Sequence, residues 1–202
     1  MCPEKPNRLE SGTGRIVLVE PDELHDELVC TLRTHPITRK YLRFLPEKLS
    51  LEEAKKLRED RAGEPTSLWF NVFQLDGTGA IGQFAGSTGI FHIDNDNNHC
   101  EMGILLSPDL HRGGVGTDIL FTLLSYVFDD RKFHRVTFET GVDNINMRGW
   151  LEKVAGATLE GTRRDFWKDP EAGSYSDVSS YSILEREWRD VVKGRLENRL
   201  KL

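Results

Sequence analysis

One stretch decides the fold, and it reads Pro108-Asp109-Leu110-His111-Arg112-Gly113-Gly114-Val115-Gly116-Thr117. The apolar run Ile104-Leu105-Leu106 precedes it, and apolar residues recur at helical spacing after it as far as Phe128. The pattern predicts a strand, a glycine-rich turn and a helix. Glycines permit positive φ and the close approach of a ligand, and free N–H groups at a helix N-terminus attract an anion. The expected ligand is therefore a phosphate group.

Two common phosphate-binding motifs do not fit this turn. It lacks the Gly-Lys-Ser/Thr ending of a P-loop and the three-glycine fingerprint of dinucleotide-binding folds. The turn instead resembles motif A of the GNAT N-acetyltransferases, Arg/Gln-x-x-Gly-x-Gly/Ala, which follows a strand and a proline. His111 stands where that family usually has Arg or Gln, and Arg112 supplies a positive charge beside it. The resemblance implies that backbone N–H groups bind the pyrophosphate of coenzyme A.

Further segments resemble the same family. Residues 143–157 are similar to its Asn-x-x-Ser/Ala...Glu-Lys-x-Gly-Phe stretch. Together with residues 159–163 and 181–188, they are most similar to the Rim-type branch, the ribosomal-protein N-terminal acetyltransferases. The resemblance covers about residues 14–188. Three matches in the correct order indicate the family more strongly than the glycine turn alone.

The second segment departs from the family at three points. Met147 replaces a small residue, and one inserted residue leaves both Asn144 and Asn146 as candidates for the family asparagine. We favour Asn144 as a cofactor contact. The tyrosine that many members use as a general acid falls at Leu151, so that role is either absent or filled by another group.

The order of predicted elements is that of the GNAT fold. We expect an α/β (α+β) fold with a mixed, mostly antiparallel central sheet of about seven strands, flanked by helices, with a splayed central strand pair. Periodicity and turn residues predict strands over residues 15–19, 68–75, 80–93, 99–106, 133–140, 157–163 and 176–185. They predict helices over residues 22–33, 37–45, 51–62, from the glycine turn to 130, 144–154 and 187–202.

These elements form one expected domain. It covers residues 14–188, after a mobile leader at 1–13 and before a surface helix at 189–202. In the first helix Leu24, Leu28 and Leu32 should be buried, because they recur at helical spacing. Ser50, followed three residues later by Glu53, predicts a capping box at the start of another helix.

Composition narrows the compartment and the partners. The 202 residues carry a net charge of −6, which argues against nucleic acid and anionic membranes as partners and suits a basic amine. Cys2, Cys30 and Cys100 have no metal-type spacing and form an odd set, so reduced thiols and no zinc site are expected. The turn at 94–98 lacks the glycine and final glutamate of a calcium loop. With no apolar run long enough for a membrane span and a polar start, a cytoplasmic protein is predicted.

The resemblance also implies where acetyl-CoA would bind as the acyl donor. Two central strands, residues 99–106 and 133–140, would splay apart, and the pantetheine arm would lie between them. Leu105 and Leu106 would hold pantetheine through their backbone groups. The residues expected at the pyrophosphate are Arg112, Gly113, Gly114, Val115, Gly116 and Thr117.

Acetyl transfer to an amine requires a base, because an aliphatic amine is protonated at neutral pH. Glu101 lies on the strand that lines the splay, at the position of a glutamate that several family members use as the base. Glu139 on the neighbouring strand is the rival carboxylate. His99 is expected to be a solvent-facing strand residue, and deprotonation by water alone remains a further alternative.

The resemblance implies an N-acetyltransferase in which an amine attacks the thioester directly in a ternary complex. The acceptor would be a small amine or a protein N-terminus, and edge strands could pair two copies into a homodimer. The alternative is a non-catalytic acyl-CoA-binding or regulatory module. Helices on the substrate side offer Tyr41, Arg43 and Phe44 as pocket residues. Three tryptophans are expected to pack rather than to line the substrate, namely Trp69, Trp150 and Trp167.

Overall fold

The computed structural model describes residues 6–202 and contains one central sheet of eight strands. The strands are β1 (Arg8–Glu10), β2 (Ile16–Val19), β3 (Leu68–Leu75), β4 (Ile81–Asp94), β5 (His99–Leu106), β6 (Arg135–Gly141), β7 (Thr158–Lys168) and β8 (Tyr175–Leu184). Their spatial order is β1-β2-β3-β4-β5-β6-β8-β7. Neighbouring strands are antiparallel except for β5 and β6, which run parallel. The predicted class, a mostly antiparallel mixed sheet with helices, is confirmed.

Helices cover both faces of this sheet. They are α1 (Asp26–Thr34), α2 (Pro36–Arg39), α3 (Leu51–Gly63), α4 (Val115–Ser125), α5 (Ile145–Gly149), α6 (Glu185–Glu187) and α7 (Lys193–Leu200). A π-helical turn extends α4 and another extends α5, and a third joins α6 to α7. The predicted capping box at α3 is confirmed, since Ser50 Oγ accepts from the N–H of Glu53 at 3.2 Å and the Glu53 carboxylate accepts from the N–H of Ser50 at 2.8 Å.

The main hydrophobic core lies on the face of the sheet that α4 covers. Cys100 and Met102 of β5 point into it and are almost fully buried. Burial raises the pKa of the Cys100 thiol to about 12, so this cysteine is an inert core residue. Asn71 and Glu101 belong to the opposite face, where α1 and α3 pack against β3, β4 and β5. The sheet therefore separates a packed core from a more polar face.

The extra strand lies in the segment that was expected to be a leader. Arg8–Glu10 pairs with β2, with Leu9 opposite Leu18. A three-residue strand with one apolar side chain has too little pattern to be recognised locally, and it forms because the edge of β2 offers free backbone groups. The first five residues of the expected leader lie outside the described part of the chain.

The prediction for the first helix was wrong in its buried face. Leu24 and Leu28 are 82% and 38% exposed, whereas Leu32 is buried as expected. The helix proper begins only at Asp26, after a short 3-10 turn, so the helical spacing does not extend back to Leu24. Asp26 itself is buried and bonded to Arg58, with Nε and Oδ1 3.1 Å apart. The second predicted helix, 37–45, is reduced to Pro36–Arg39.

The C-terminal segment is more than a surface helix. Helical structure begins at Glu185, and Trp188, Val192 and Leu196 are almost fully buried in the main core. These three side chains are four residues apart, so they form one apolar stripe. Trp188 Nε1 also donates to Asp129 at 3.0 Å. The segment therefore completes the domain rather than following it.

Among the helices of residues 6–202, none combines the length and the apolar character that crossing a membrane requires.

Candidate active site

The glycine turn leaves several N–H groups free at one end of β5. After Leu106 the chain makes a short 3-10 turn, and Arg112 and Gly114 then take positive φ, +67° and +80°. α4 begins directly after them. Within the described residues, the N–H groups of Val115, Gly116 and Thr117 have no hydrogen-bond partner, as expected for the first turn of a helix. The predicted strand, turn and helix are confirmed, and their geometry fits a bound anion.

Gly114 is required for its backbone conformation rather than for space. A Cβ atom built on it would meet nothing within 4 Å, but its φ disfavours other residues. The anion-binding cradle formed by residues 112–117 therefore opens to solvent.

The first turn of α4 is held in place by side chains that the motif did not indicate. Thr117 Oγ1 accepts from Trp150 Nε1 at 3.1 Å, which connects α4 to the segment after α5. The carboxylate of Asp118 is fully buried and accepts from Thr13 at 2.5 Å and from Arg15 Nε at 3.2 Å. Burial raises the pKa of the Asp118 carboxyl. Both contacts fix the direction of α4, and thereby of its free N–H groups.

The predicted splay between β5 and β6 is confirmed. The parallel pairing extends only from His99 opposite Arg135 to Glu101 opposite Thr137. From Met102 onward β5 has no partner on that side among the described residues, although it remains paired with β4 as far as Leu106. A gap thus opens at Glu101 and leads toward the glycine turn.

The register corrects one of the two residues expected to hold pantetheine. The N–H of Ser107 donates to the carbonyl of Ala85 at 2.8 Å, and backbone groups alternate between the two sides of a strand. Leu105, opposite Ser87, therefore directs its N–H and C=O at β4, not at the gap. Ile104 and Leu106 direct theirs into the gap. Of the two residues expected to hold pantetheine, only Leu106 has backbone groups that face the gap, and Ile104 shares that orientation.

Glu101 lies where the two strands separate, on the polar face of the sheet. Its side chain is 16% exposed, and its Oε2 lies 3.1 Å from Nδ1 of His92. Burial raises the pKa of the Glu101 carboxyl, and the hydrogen bond and charge of His92, with the charge of Arg163, offset part of that rise. A partly buried carboxylate with a raised pKa is suited to accept a proton.

His92 reaches Glu101 because of an irregularity in β4 that sequence reasoning missed. Alternation along the strand would turn His92 away from the face that Phe91 and Glu101 share. The register between β4 and β5 shifts after Phe91, and His92 takes a positive φ of +51°. This β-bulge turns the imidazole toward Glu101. No local pattern in the sequence signals such a bulge.

The rival carboxylate is engaged in an ion pair. Glu139 lies on the same face as Glu101 and contacts the guanidinium of Arg163. Arg163 also donates to Ser180 Oγ at 3.2 Å, so the pair is part of the contact between β7 and the sheet. His99 is paired instead with Asp94, at 3.6 Å from Nε2 to Oδ2. Glu101 is therefore the carboxylate at the gap that is free of an arginine partner among residues 6–202.

The remaining predicted residues lie around the far end of the gap. Asn144 caps α5, with Oδ1 accepting from the N–H of Met147 at 3.2 Å. Leu151 is fully buried in the core, so the residue in the place of the family tyrosine offers no proton. Arg43 forms an ion pair with Asp143, which brings the segment after α2 to the end of β6.

Aromatic side chains make packing contacts around the site. Phe44 meets Trp167 edge to face with ring centroids 5.1 Å apart. Trp69 is stacked on Phe91, and Trp150 packs against the core. Tyr41 lies at the end of β6, where its carbonyl oxygen would be 3.6 Å from a Cβ on Gly141. All three tryptophans therefore make packing contacts, and Trp69 also keeps part of its surface exposed on the face that carries Glu101.

Comparisons with known proteins all indicate an acetyltransferase. Residues 15–156 match the family model described as "Acetyltransferase (GNAT) domain". The chain is 28% identical over 107 residues to "Putative ribosomal N-acetyltransferase YdaF" of Bacillus subtilis (strain 168). That match covers 53% of this chain and 57% of the relative, so it spans little more than half of the relative's length.

Solved structures share the fold over nearly the whole chain. A GCN5-related N-acetyltransferase from Brucella melitensis has a TM-score of 0.80 at 22% identity, covering 99% of this chain and 87% of that one. Spermidine N-acetyltransferase from Vibrio cholerae, solved with CoA and spermine, has a TM-score of 0.76 at 18% identity, covering 87% and 99%.

Proposed function

The chain belongs to the GNAT acetyltransferase family, and from this membership we propose that it transfers the acetyl group of acetyl-CoA to a primary amine. The amine attacks the thioester directly while both substrates are bound. The observation that carries the proposal is the position of Glu101, a partly buried carboxylate at the point where β5 and β6 separate. The gap leads from there to the free N–H groups of the glycine turn.

Acetyl-CoA would be held mostly by backbone groups. Residues 112–117 offer N–H groups to the pyrophosphate, and Ile104 and Leu106 offer N–H and C=O groups to the pantetheine arm. Asn144, at the start of α5, is the proposed side-chain contact. When bound, acetyl-CoA supplies an acetyl group already activated as a thioester.

Glu101 would act as the general base. It removes a proton from the ammonium form of the acceptor, directly or through a water molecule, and the neutral nitrogen then attacks the thioester carbonyl. The C–N bond forms, the C–S bond breaks, coenzyme A leaves as a thiolate, and the nitrogen loses its second proton to solvent to give the amide. Because a thiol has a pKa of about 8.5, the thiolate can depart without a positioned acid and take its proton from solvent. Leu151 in the place of the family tyrosine is compatible with this chemistry.

The acceptor is open to two classes. The name of the Bacillus relative agrees with the Rim-type resemblance and suggests the N-terminus of a ribosomal protein, whereas the Vibrio structure suggests a polyamine. Tyr41, Arg43 and Phe44 remain the proposed pocket residues on the substrate side. A homodimer remains a proposal as well.

One observation favours a second function. The buried Leu151 fits a module that binds acyl-CoA and has lost the chemistry. Glu101 argues against that function. Its carboxylate has a raised pKa and no arginine partner in the described chain, so its desolvation beside the gap is unfavourable. A module that only binds acyl-CoA gains nothing from a carboxylate in that position.

The test measures CoA binding and turnover separately. Calorimetry with CoA reports the cradle, and thiol release from acetyl-CoA reports transfer to a panel of amines that includes spermidine, lysine and short peptides. We expect binding together with release that depends on an amine. Binding without release across the whole panel would support the module, and failure to bind CoA would refute both functions.

A further inference from the structure

A cavity of about 130 Å³ lies on the same face of the sheet as Glu101. α1 and α3 form its roof, and β3 and β4 form its floor. The polar residues in its lining include Asn71 and Ser87, which are hydrogen-bonded to each other at 2.9 Å, and the two arginines Arg58 and Arg61 of α3. The two arginines differ in whether an acidic residue of the described chain pairs with them.

Arg61 has no acidic partner among residues 6–202. Its guanidinium carbon lies 3.6 Å from the ring centroid of Trp69, and none of its five N–H donors bonds to an acceptor in that part of the chain. Arg58 is bonded to Asp26, with Nε and Oδ1 3.1 Å apart. Glu20, the remaining carboxylate of the lining, makes no ion pair with Arg61 in the described chain.

A second arginine, Arg33 of α1, lies near Arg61, and neither cation has an acidic partner in the described chain. Burial and the nearby charge of Arg33 lower the pKa of Arg61 to about 9. The Nε of Arg33 is itself buried without a hydrogen-bond partner in the described residues. A half-buried cation without a counterion loses part of its hydration, and an anion entering the cavity would offset that cost. Arg61 in the cavity lining and Arg33 on the neighbouring helix α1 together give this region a positive potential that favours an anion.

An aromatic surface connects Arg61 to the site of the reaction. Trp69 on β3 is stacked on Phe91 of β4, with centroids 5.2 Å apart and planes 6° from parallel. Phe91 lies directly opposite Glu101 of β5. The Trp69 and Phe91 rings are 5.2 Å apart and one strand spacing of about 4.8 Å separates Phe91 from Glu101, which places Arg61, stacked on Trp69, roughly 10 Å from Glu101. Trp69 and Phe91 therefore form a continuous aromatic surface between Arg61 and Glu101.

We propose that Arg61 binds an anionic group of the acceptor, a carboxylate or a phosphate, about 10 Å from the amine that Glu101 deprotonates. The inference rests on the proposed function, since it assigns the acceptor of that same site. The carboxylate of a free α-amino acid is too close to its own amine to span this distance. Extended peptide advances about 3.3–3.6 Å per residue, so an anion on the third residue has the required separation.

The experiment compares acceptors that differ only in charge at that distance. The matched pair is trialanine with a free carboxylate and trialanine amide; the amide of Ala-Ala-phosphoserine supplies a phosphate at the third residue, and alanine tests a carboxylate too close to the amine. We expect kcat/KM for the acid or the phosphopeptide to exceed that for the neutral amide at least tenfold. The two anionic peptides distinguish carboxylate from phosphate as the preferred group.

Variants assign the preference to one side chain. Arg61→Met should bring the ratio of acid to amide close to one, whereas Lys55→Met, which removes the same charge from the exposed side of α3, should leave it unchanged. Arg61→Lys keeps the charge without the planar fork and should give an intermediate ratio. It also provides the test if Arg61→Met does not fold. A ratio near one in the wild type, or an unchanged ratio in the Arg61 variants, would overturn the proposal.

Binding without chemistry separates this inference from the proposed function. Calorimetry with N-acetyl-trialanine and its amide measures the preference for the anion in the absence of any transfer. If no amine is acetylated but the acid binds more tightly through Arg61, the anion site stands and the proposed function fails. If amines are acetylated without regard to charge, the function stands and the anion site fails.

Discussion

Replacing Glu101 with Gln removes a proton acceptor while it preserves shape and the ability to accept a hydrogen bond from His92. A general base contributes about 10²–10⁴-fold, or about 3–5 kcal/mol of activation free energy. The loss of activity in the variant is limited because the enzyme can bind the fraction of the amine that is already neutral in solution. At pH 7 about one tenth of an α-amine of pKa about 8 is neutral, against about 4 in 10⁴ of a lysine-like amine. The loss in kcat/KM should therefore be about tenfold for peptides and nearer 10³-fold for lysine or spermidine.

Because the pKa of Glu101 is raised, the same variant that loses activity should gain stability. A carboxyl whose pKa is raised by folding favours the native state below its unfolded pKa, and that contribution is lost as pH rises through the folded pKa. At neutral pH the buried charge therefore lowers the free energy of unfolding. Glu101→Gln should stabilise the protein at pH 7, and the gain should disappear at pH values below about 4, where both states are protonated.

The assay combines thiol release between pH 6 and 10 with urea unfolding at pH 7 and pH 4. In the wild type, kcat/KM should rise with an apparent pKa that is absent from the variant, and the difference should shrink as pH approaches the pKa of the amine. Glu139→Gln is the comparison, because its partner Arg163 makes it structural. Near-normal activity of Glu101→Gln with loss in Glu139→Gln would move the base to Glu139. Reduced stability of Glu101→Gln at pH 7 would refute the desolvation argument.

Three further predictions concern the cradle, the bulge and the C-terminal helix. Gly114→Asp should abolish CoA binding in a folded protein, because φ of +80° disfavours a side chain and a carboxylate repels the pyrophosphate; unchanged affinity in calorimetry would refute the cofactor site. His92→Gly, in which glycine tolerates the positive φ, should move the rising limb of the pH profile of kcat/KM to higher pH, since His92 lowers the pKa of Glu101. His92→Asn keeps a hydrogen-bond donor and should reverse part of that shift. Identical pH profiles in the wild type and both variants would exclude a role of His92 in setting the pKa of Glu101. Leu196→Ala should cost about 2–5 kcal/mol of unfolding free energy in urea with unchanged affinity for CoA, and a loss below about 1 kcal/mol would contradict its place in the core.

The half of the site that binds the cofactor could be predicted because it is local in sequence. One strand, one turn and one helix follow each other between residues 99 and 125, and glycine marks the position where φ must be positive. What the sequence could not supply was the pairing partner of each backbone group. Alternation separates Leu105 from Leu106, but only the register with β4 decides which of them faces the gap. The same register creates the bulge at His92.

The half of the site on the acceptor side depends on contacts between distant segments. Arg61 of α3, Trp69 of β3 and Glu101 of β5 come together only when the sheet forms, and a charged residue on a helix gives no sign that it will be half-buried without a counterion. Periodicity assigns such a residue to the solvent side by default. Leu24 shows the reverse error, an apolar residue at helical spacing that remains exposed.

The two halves of the site, one for the cofactor and one for the acceptor, differ in how readily substitutions change what they bind. In the proposed site the cofactor is bound largely by main-chain groups of residues 112–117 and of β5, which most side-chain substitutions leave in place. The acceptor face of β3, β4 and β5 presents side chains, and these can change without disturbing the cradle on the adjoining helix. Proteins that share the glycine turn can therefore acetylate different amines, which is the physical reason that family membership does not identify the acceptor. The charges on that face, with Arg61 unpaired in the described chain and Glu101 at the gap, are the features from which the acceptor must be inferred.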